Sequence, residues 1–234
     1  MKKGILSLSL AVVFCFITAV ALCVQALSGA TQVGAFMQGG IKIVLDAGHG
    51  GVDGGVLGRR TGIKESDINL SIVLCLQEQL SDKGFEVTLT RKTEAGLYGV
   101  FSNGFKKRDM QRRKEIIEET SPEFVVSIHQ NYYSSQAVRG GQVFFRENDE
   151  GSERLAELLQ SNINALYKKQ GVKERVKKTG DYFMLKCAPC PSVIVECGFL
   201  SNEKDESLLC NEGWKRELCA YISAGILAYF TNVA

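Results

Sequence analysis

Residues 41 to 55 read IKIVLDAGHGGVDGG. The β-branched run from Ile41 to Leu45 has the composition of a short strand, and Asp46-Ala47-Gly48-His49-Gly50-Gly51 breaks it off in a glycine-rich turn. A histidine therefore stands just past the carboxyl end of a strand. The same arrangement occurs at Phe124 to Ile128, a strand that runs straight into His129, with Gln130 and Asn131 behind it. These are the only two histidines among 234 residues.

Outward from these stretches, strands alternate with amphipathic helices. Ser66 is placed to cap a helix in which Ile68, Ile72, Leu76 and Leu80 recur every four residues, ended by Gly84. Phe85 to Thr90 reads as a strand, and a loop holding Gly96, Gly99 and Gly104 leads to a basic helix from about Lys106 to Glu119, stopped by Pro122. Val143 to Arg146 is a short strand. Leu155, Leu159, Ile163 and Leu166 mark a helix, and Ser192 to Val195 is a strand arriving at Glu196. The last helix carries Trp214, Leu218, Tyr221, Ile222 and Tyr229 on one face. This order implies one α/β domain, a mostly parallel twisted sheet flanked by helices. Ligands of such sheets bind outside the carboxyl ends of the strands. His49, His129 and Glu196 all follow strands at that end, and Glu65 precedes the helix that leads away from the first, so four residues distant in sequence are expected to meet.

Each of these residues has a plainer explanation when taken alone. A histidine after a strand often serves a turn, and a glutamate near a helix start complements the macrodipole. Both histidines in one context point instead to a metal. Two imidazoles exclude a three-histidine site, but two imidazoles with one carboxylate make a three-ligand zinc site with a position left open, the catalytic pattern. A second carboxylate would then act as general base toward water attacking a carbonyl. The helical H-E-x-x-H arrangement is absent from the chain.

The motifs IKIVLDAGHGGVDGG at residues 41 to 55, KESDINLS around Glu65, VVSIHQN around His129 and VIVECGFLSN around Glu196 resemble the four motifs of the zinc-dependent N-acetylmuramoyl-L-alanine amidases. The resemblance covers residues 41 to 230. It implies a hydrolase that cuts the amide between muramic acid and L-alanine of peptidoglycan, with His49, Glu65 and His129 as ligands of one Zn2+ and Glu196 as the catalytic glutamate. By position in the family pattern, Arg113 is a candidate substrate contact. Asn131, two residues past His129, is placed either to orient substrate amides or to close a turn. Within the family, the small size, the apolar N-terminus and the ending GILAYF are most similar to the small members that modify spore-cortex peptidoglycan on the way to muramic-δ-lactam. The chain departs from the pattern at Ala47, where proline is usual, at Cys197, where an aliphatic residue is usual, and at Glu118, where the pattern has asparagine. The dozen residues between His129 and Val143 leave no room for the helix that some members insert over the zinc.

Composition bounds these readings. With 45% hydrophobic and 23% charged residues the chain can build an ordinary core. A formal charge of +2 excludes a strongly basic nucleic-acid binder and an acidic tail protein. After Lys2 and Lys3 no charged side chain occurs until Lys42, and the stretch from Gly4 to Leu27 is apolar apart from Ser7, Ser9, Thr18 and Gln25. Twenty-four helical residues rise roughly 36 Å, enough for a hydrocarbon core of about 30 Å. Residues 1–27 are therefore expected to be a signal peptide or a membrane anchor, 28–40 a linker and 41–234 the catalytic domain, acting outside the cytoplasm. A protein partner that activates or localises the enzyme is a further expectation.

Two other signals compete. Cys187-Ala-Pro-Cys190 matches a thioredoxin-like redox pair, though such a pair needs its first thiol at a helix N-terminus, whereas here a strand follows at once. Cys75, Cys210 and Cys219 fall at helical core positions. The basic residues Lys106, Lys107, Arg108, Arg112, Arg113 and Lys114 read as a solvated helix face, or as a surface for anionic wall polymer. A different class of function on the same fold would be a catalytically silent peptidoglycan-binding scaffold.

Overall fold

The structure, a computed structural model, describes residues 40–231. Expectations for the N-terminal apolar run and its linker fall on residues outside these, and no helix among the described residues is long and apolar enough to cross a membrane. Six strands form one sheet: β1 (Lys42–Ala47), β2 (Glu86–Leu89), β3 (Phe124–Asn131), β4 (Gln142–Phe145), β5 (Lys178–Thr179) and β6 (Ser192–Phe199), in the order β2-β1-β3-β6-β4-β5. β2, β1, β3 and β6 are parallel neighbours, while β4 runs antiparallel to β6. The helices are α1 (Glu65–Ser81), α2 (Phe105–Thr120), α3 (Glu150–Lys168), α4 (Phe183–Lys186), α5 (Glu203–Leu209) and α6 (Glu212–Thr231).

The single α/β domain expected from the alternation of elements is present, with differences in detail. α1 begins at Glu65 itself, and its N-cap Lys64 makes no side-chain cap. Ser66 lies inside the first turn, where its hydroxyl reaches Asp67 at 3.2 Å. Glu65 thus sits at the positive end of the helix with its amide already turned to Val56 O. Trp214, Leu218 and Ile222 are buried as the periodicity requires, but Tyr221 and Tyr229 are half-buried.

Strand alternation sorts the core into two layers. Ile43, Leu45, Val126, Ile128, Val193 and Val195 point to the side covered by α1, α3 and α6. Val44, Val125 and Ile194 point the other way, into a cluster with Ile117 of α2 and Met184, Leu185 and Ala188 in and after α4. Counting on by twos, Asp46, Ser127, His129 and Glu196 leave the sheet on that second side. The chain turns from β1 toward β2 in one direction and from β3 toward β4 in the other. The gap beyond the carboxyl ends of β1 and β3 is therefore the switch point at which open α/β sheets bind ligands.

Candidate active site

His49 follows β1 with a left-handed backbone, φ 61°. His129 is the sixth residue of β3, in register with Glu196 of β6. Glu65 comes from the first turn of α1. One carboxylate oxygen, Glu65 Oε1, lies 3.3 Å from His49 Nε2 and 2.9 Å from His129 Nδ1. Ligand atoms of the three residues all fall within 4.8 Å of one another, a size that suits one metal ion. The rings stand 5.0 Å apart, edge to face.

Neighbouring groups hold each member. Asp53 Oδ1 takes His49 Nδ1 at 3.2 Å, which turns Nε2 toward Glu65. Glu65 Oε2 accepts from Val56 N at 2.9 Å, and its Oε1 from Gln130 N at 3.1 Å. Burial alone would raise the Glu65 pKa, but the hydrogen bonds and charges of His129 and His49 outweigh it and hold the group well below the usual carboxylate range. Asn69, one turn on in α1, donates to Gly48 O at 3.1 Å and accepts from Gln130 Nε2 at 3.0 Å. Two glycines are sterically required. A Cβ on Gly48 would lie 2.2 Å from His129 Cε1, and one on Gly55, at φ 68°, would lie 2.4 Å from Glu65 Oε2.

Glu196 differs from Glu65 in its environment. Its Oε2 is sealed from solvent and has no hydrogen-bond partner among the described residues. Burial pushes the carboxyl up to about 7, helped by the Glu65 charge and opposed by the two imidazoles. Two carboxylates in one site are thus driven apart in acidity, one kept ionised and one poised near neutrality, the pattern of groups with separate tasks.

The cleft over these residues has a volume of about 380 Å³, and its lining includes Tyr98, Phe105, Lys106, Met110, Tyr182, Phe183 and Met184. Residues 132–141, after β3, form a loop without a helix, so His129 faces this cleft directly.

Arg113 and Asn131 are engaged within the protein. Arg113 is 1% exposed. Its Nε donates to Asp109 at 2.7 Å, Nη1 to Asp46 at 2.5 Å and Ala47 O at 2.8 Å, and Nη2 to His49 O at 2.7 Å. It separates from the other basic residues of α2, whose buried stripe is Asp109, Arg113 and Ile117 at a spacing of four. Asn131 Oδ1 accepts from Tyr132 N at 2.8 Å, at the end of β3. Sequence reasoning did not single out Arg91, which donates to the carbonyls of Ala47, Gly48 and Ser66. It joins the histidine turn to the start of α1, and an arginine just past a strand end was its only trace in the sequence.

The cysteine pair does not meet the requirements of a redox centre. Cys187 is the C-cap of the four-residue α4, the wrong end of a helix for thiolate stabilisation, and burial raises its thiol to about 11. Burial raises Cys190 as well.

A family model described as N-acetylmuramoyl-L-alanine amidase matches residues 43–228. The germination-specific N-acetylmuramoyl-L-alanine amidase of Bacillus subtilis is 29% identical over 193 residues, 81% of this chain and 80% of that protein. Among solved structures, the CwlD amidase of Clostridioides difficile in complex with the GerS lipoprotein aligns with a TM-score of 0.76 at 35% identity, over 81% of this chain and 98% of that one. An N-acetylmuramoyl-L-alanine amidase of Clostridium difficile 630 aligns with a TM-score of 0.72 at 26% identity, over 83% and 99%. The match spans both histidines, the start of α1 and the end of β6, and the chain belongs to the N-acetylmuramoyl-L-alanine amidase family.

Proposed function

We propose that the chain is a zinc-dependent amidase that cuts the bond between N-acetylmuramic acid and L-alanine in spore-cortex peptidoglycan. The observation that carries the reading is the meeting of His49, Glu65 and His129 around one point, with the unpartnered Oε2 of Glu196 beside them. Two imidazoles and a carboxylate are a donor set suited to zinc. When bound there, zinc would polarise the scissile carbonyl as a Lewis acid. Glu196 takes the proton of the attacking water on its carboxylate and passes it to the leaving amine nitrogen, a role that its near-neutral pKa fits. Asp53 fixes the tautomer of His49. Tyr98, Phe105, Tyr182 and Phe183, which line the cleft, offer apolar surface to the glycan and peptide that flank the bond. The enzyme works outside the cytoplasm, tethered or directed by its N-terminal segment. The solved amidase bound to a lipoprotein supports a protein partner for this chain too.

The test is digestion of intact cortex and vegetative wall side by side, read by muropeptide mass spectrometry. The expected products are free stem peptides and peptide-free muramic acid, from cortex in preference. Chelation should abolish the activity and added zinc restore it. Glu196→Gln should keep zinc, seen as a metal-dependent rise in melting temperature, yet lose about 10²–10⁴-fold in turnover. Full turnover in that variant removes the general-base assignment, and products unchanged by chelation remove the zinc.

A further inference from the structure

Helices α1 and α6 lie side by side and are joined by a ladder of matched positions. Ser71, Cys75 and Gln79 on α1 face Lys215, Cys219 and Ser223 on α6, both sets at a spacing of four and ascending in the same direction. On the first rung Lys215 Nζ donates to Ser71 Oγ at 2.7 Å, and on the third Ser223 Oγ donates to Gln79 Oε1 at 3.3 Å. Between these rungs, one turn from each on both helices, stand Cys75 and Cys219. Gln79 Nε2 reaches both Cys75 Sγ, at 3.6 Å, and Arg216 O, at 3.3 Å. Cys219 Sγ lies 3.6 Å from Ile72 O, one turn before Cys75. Both cysteines are free thiols in this structure.

The two thiols differ in access. Cys219 is buried, as a core reading expects, but Cys75 is half-exposed in a surface hollow of about 440 Å³ lined also by Glu78, Asp82, Lys215 and Arg216. The neighbouring Cys219 thiol lowers the Cys75 pKa against the effects of burial and Glu78, with smaller help from Arg216 and Lys215. Burial raises Cys187, Cys190, Cys197 and Cys210 instead. A partly exposed thiol on the position facing a buried one, between two hydrogen-bonded rungs, is the arrangement of an attacking and a resolving cysteine.

We propose that Cys75 and Cys219 form a disulfide that staples α1 to α6. The Cys75 thiolate attacks one sulfur of a disulfide oxidant, forming a mixed disulfide and releasing the oxidant's first thiolate. Cys219, its proton passing to solvent, then attacks Cys75 Sγ and expels the second. Two protein thiols are oxidised to one disulfide, and the oxidant's disulfide is reduced to two thiols. The loop so closed spans most of the domain, so the constraint on the unfolded chain is large, and it falls on the helix that presents Glu65.

The purified full-length chain is incubated with oxidised glutathione, digested with a protease and mapped by mass spectrometry. The expected result is a peptide pair joined through Cys75 and Cys219, the loss of two titratable thiols, and a melting temperature several degrees above that of the dithiothreitol-treated protein. Cys75→Ser should abolish the cross-link and the shift. The peptide map of the unsubstituted chain decides the matter even if a variant folds poorly. A stable glutathione adduct on Cys75 with Cys219 still free, linkage through another pair, or two unreacted thiols would each overturn the proposal. None of these readouts depends on amide hydrolysis, so their failure leaves the proposed function standing.

Discussion

Gly48 shows how tightly single atoms constrain the site. The His129 ring occupies the place that a side chain at residue 48 would take. Gly48→Ala should therefore displace the ring and weaken zinc binding by at least about 10-fold, measured by competition with a chromophoric chelator, while the far-ultraviolet spectrum stays unchanged. Asp53 acts from the opposite side of the site, on His49 Nδ1. Asp53→Ala frees that ring to rotate, and a loss of about 10–100-fold in zinc affinity is expected in the same assay; wild-type affinity would show that Asp53 does not orient the ligand. At this scale the sequence singled out His49, Glu65, His129 and Glu196, which the fold brings together, because histidines and carboxylates at element ends are chemically distinctive. It missed Arg91 and Asn69, whose work is to bind main-chain carbonyls. A carbonyl is present at every position and leaves no mark in a sequence.

At the scale of elements, α2 is anchored by charge as much as by apolar packing. The Arg113 guanidinium joins Asp109 on its own helix to Asp46 and to the carbonyls of Ala47 and His49. Arg113→Met leaves Asp46 buried without its cation, and a loss of about 3–5 kcal/mol is expected from urea denaturation. Arg113→Lys should recover only part, because an ammonium cannot span all four acceptors. Helix α3 offers a milder test. Asp149 caps it by accepting from Ser152 N at 2.9 Å, so Asp149→Ala should cost about 1 kcal/mol in the same measurement. The apolar periodicity of α1 and α3 was legible in the sequence. The direction of β4 and the two-residue β5 were not, since pairing depends on which edge of the sheet is vacant when the chain returns.

For the whole molecule, the buried Asp46 links stability to pH. Burial alone would raise its pKa; the charge of Arg113 and hydrogen bonds from Ser127 and Thr90 overcome that and bring it from 3.8 to about 2. A carboxyl depressed in the folded state stabilises it fully above the unfolded pKa and loses that contribution as pH falls through the folded one. About 2 kcal/mol should therefore disappear between roughly pH 5 and pH 2, read from denaturation midpoints across that range, and the slope should flatten in Asp46→Asn. By itself the sequence determined the class of fold, through the alternation of strand and helix periodicities, and the chemistry on offer, through the rarity of histidine and its two matching contexts. Only the tertiary structure decided that burial and neighbours shift Glu65 and Glu196 in opposite directions, that Arg113 faces inward, and that Cys75 and Cys219 take facing positions on α1 and α6. Those properties depend on burial and on distances between residues far apart in the chain, and local sequence encodes neither.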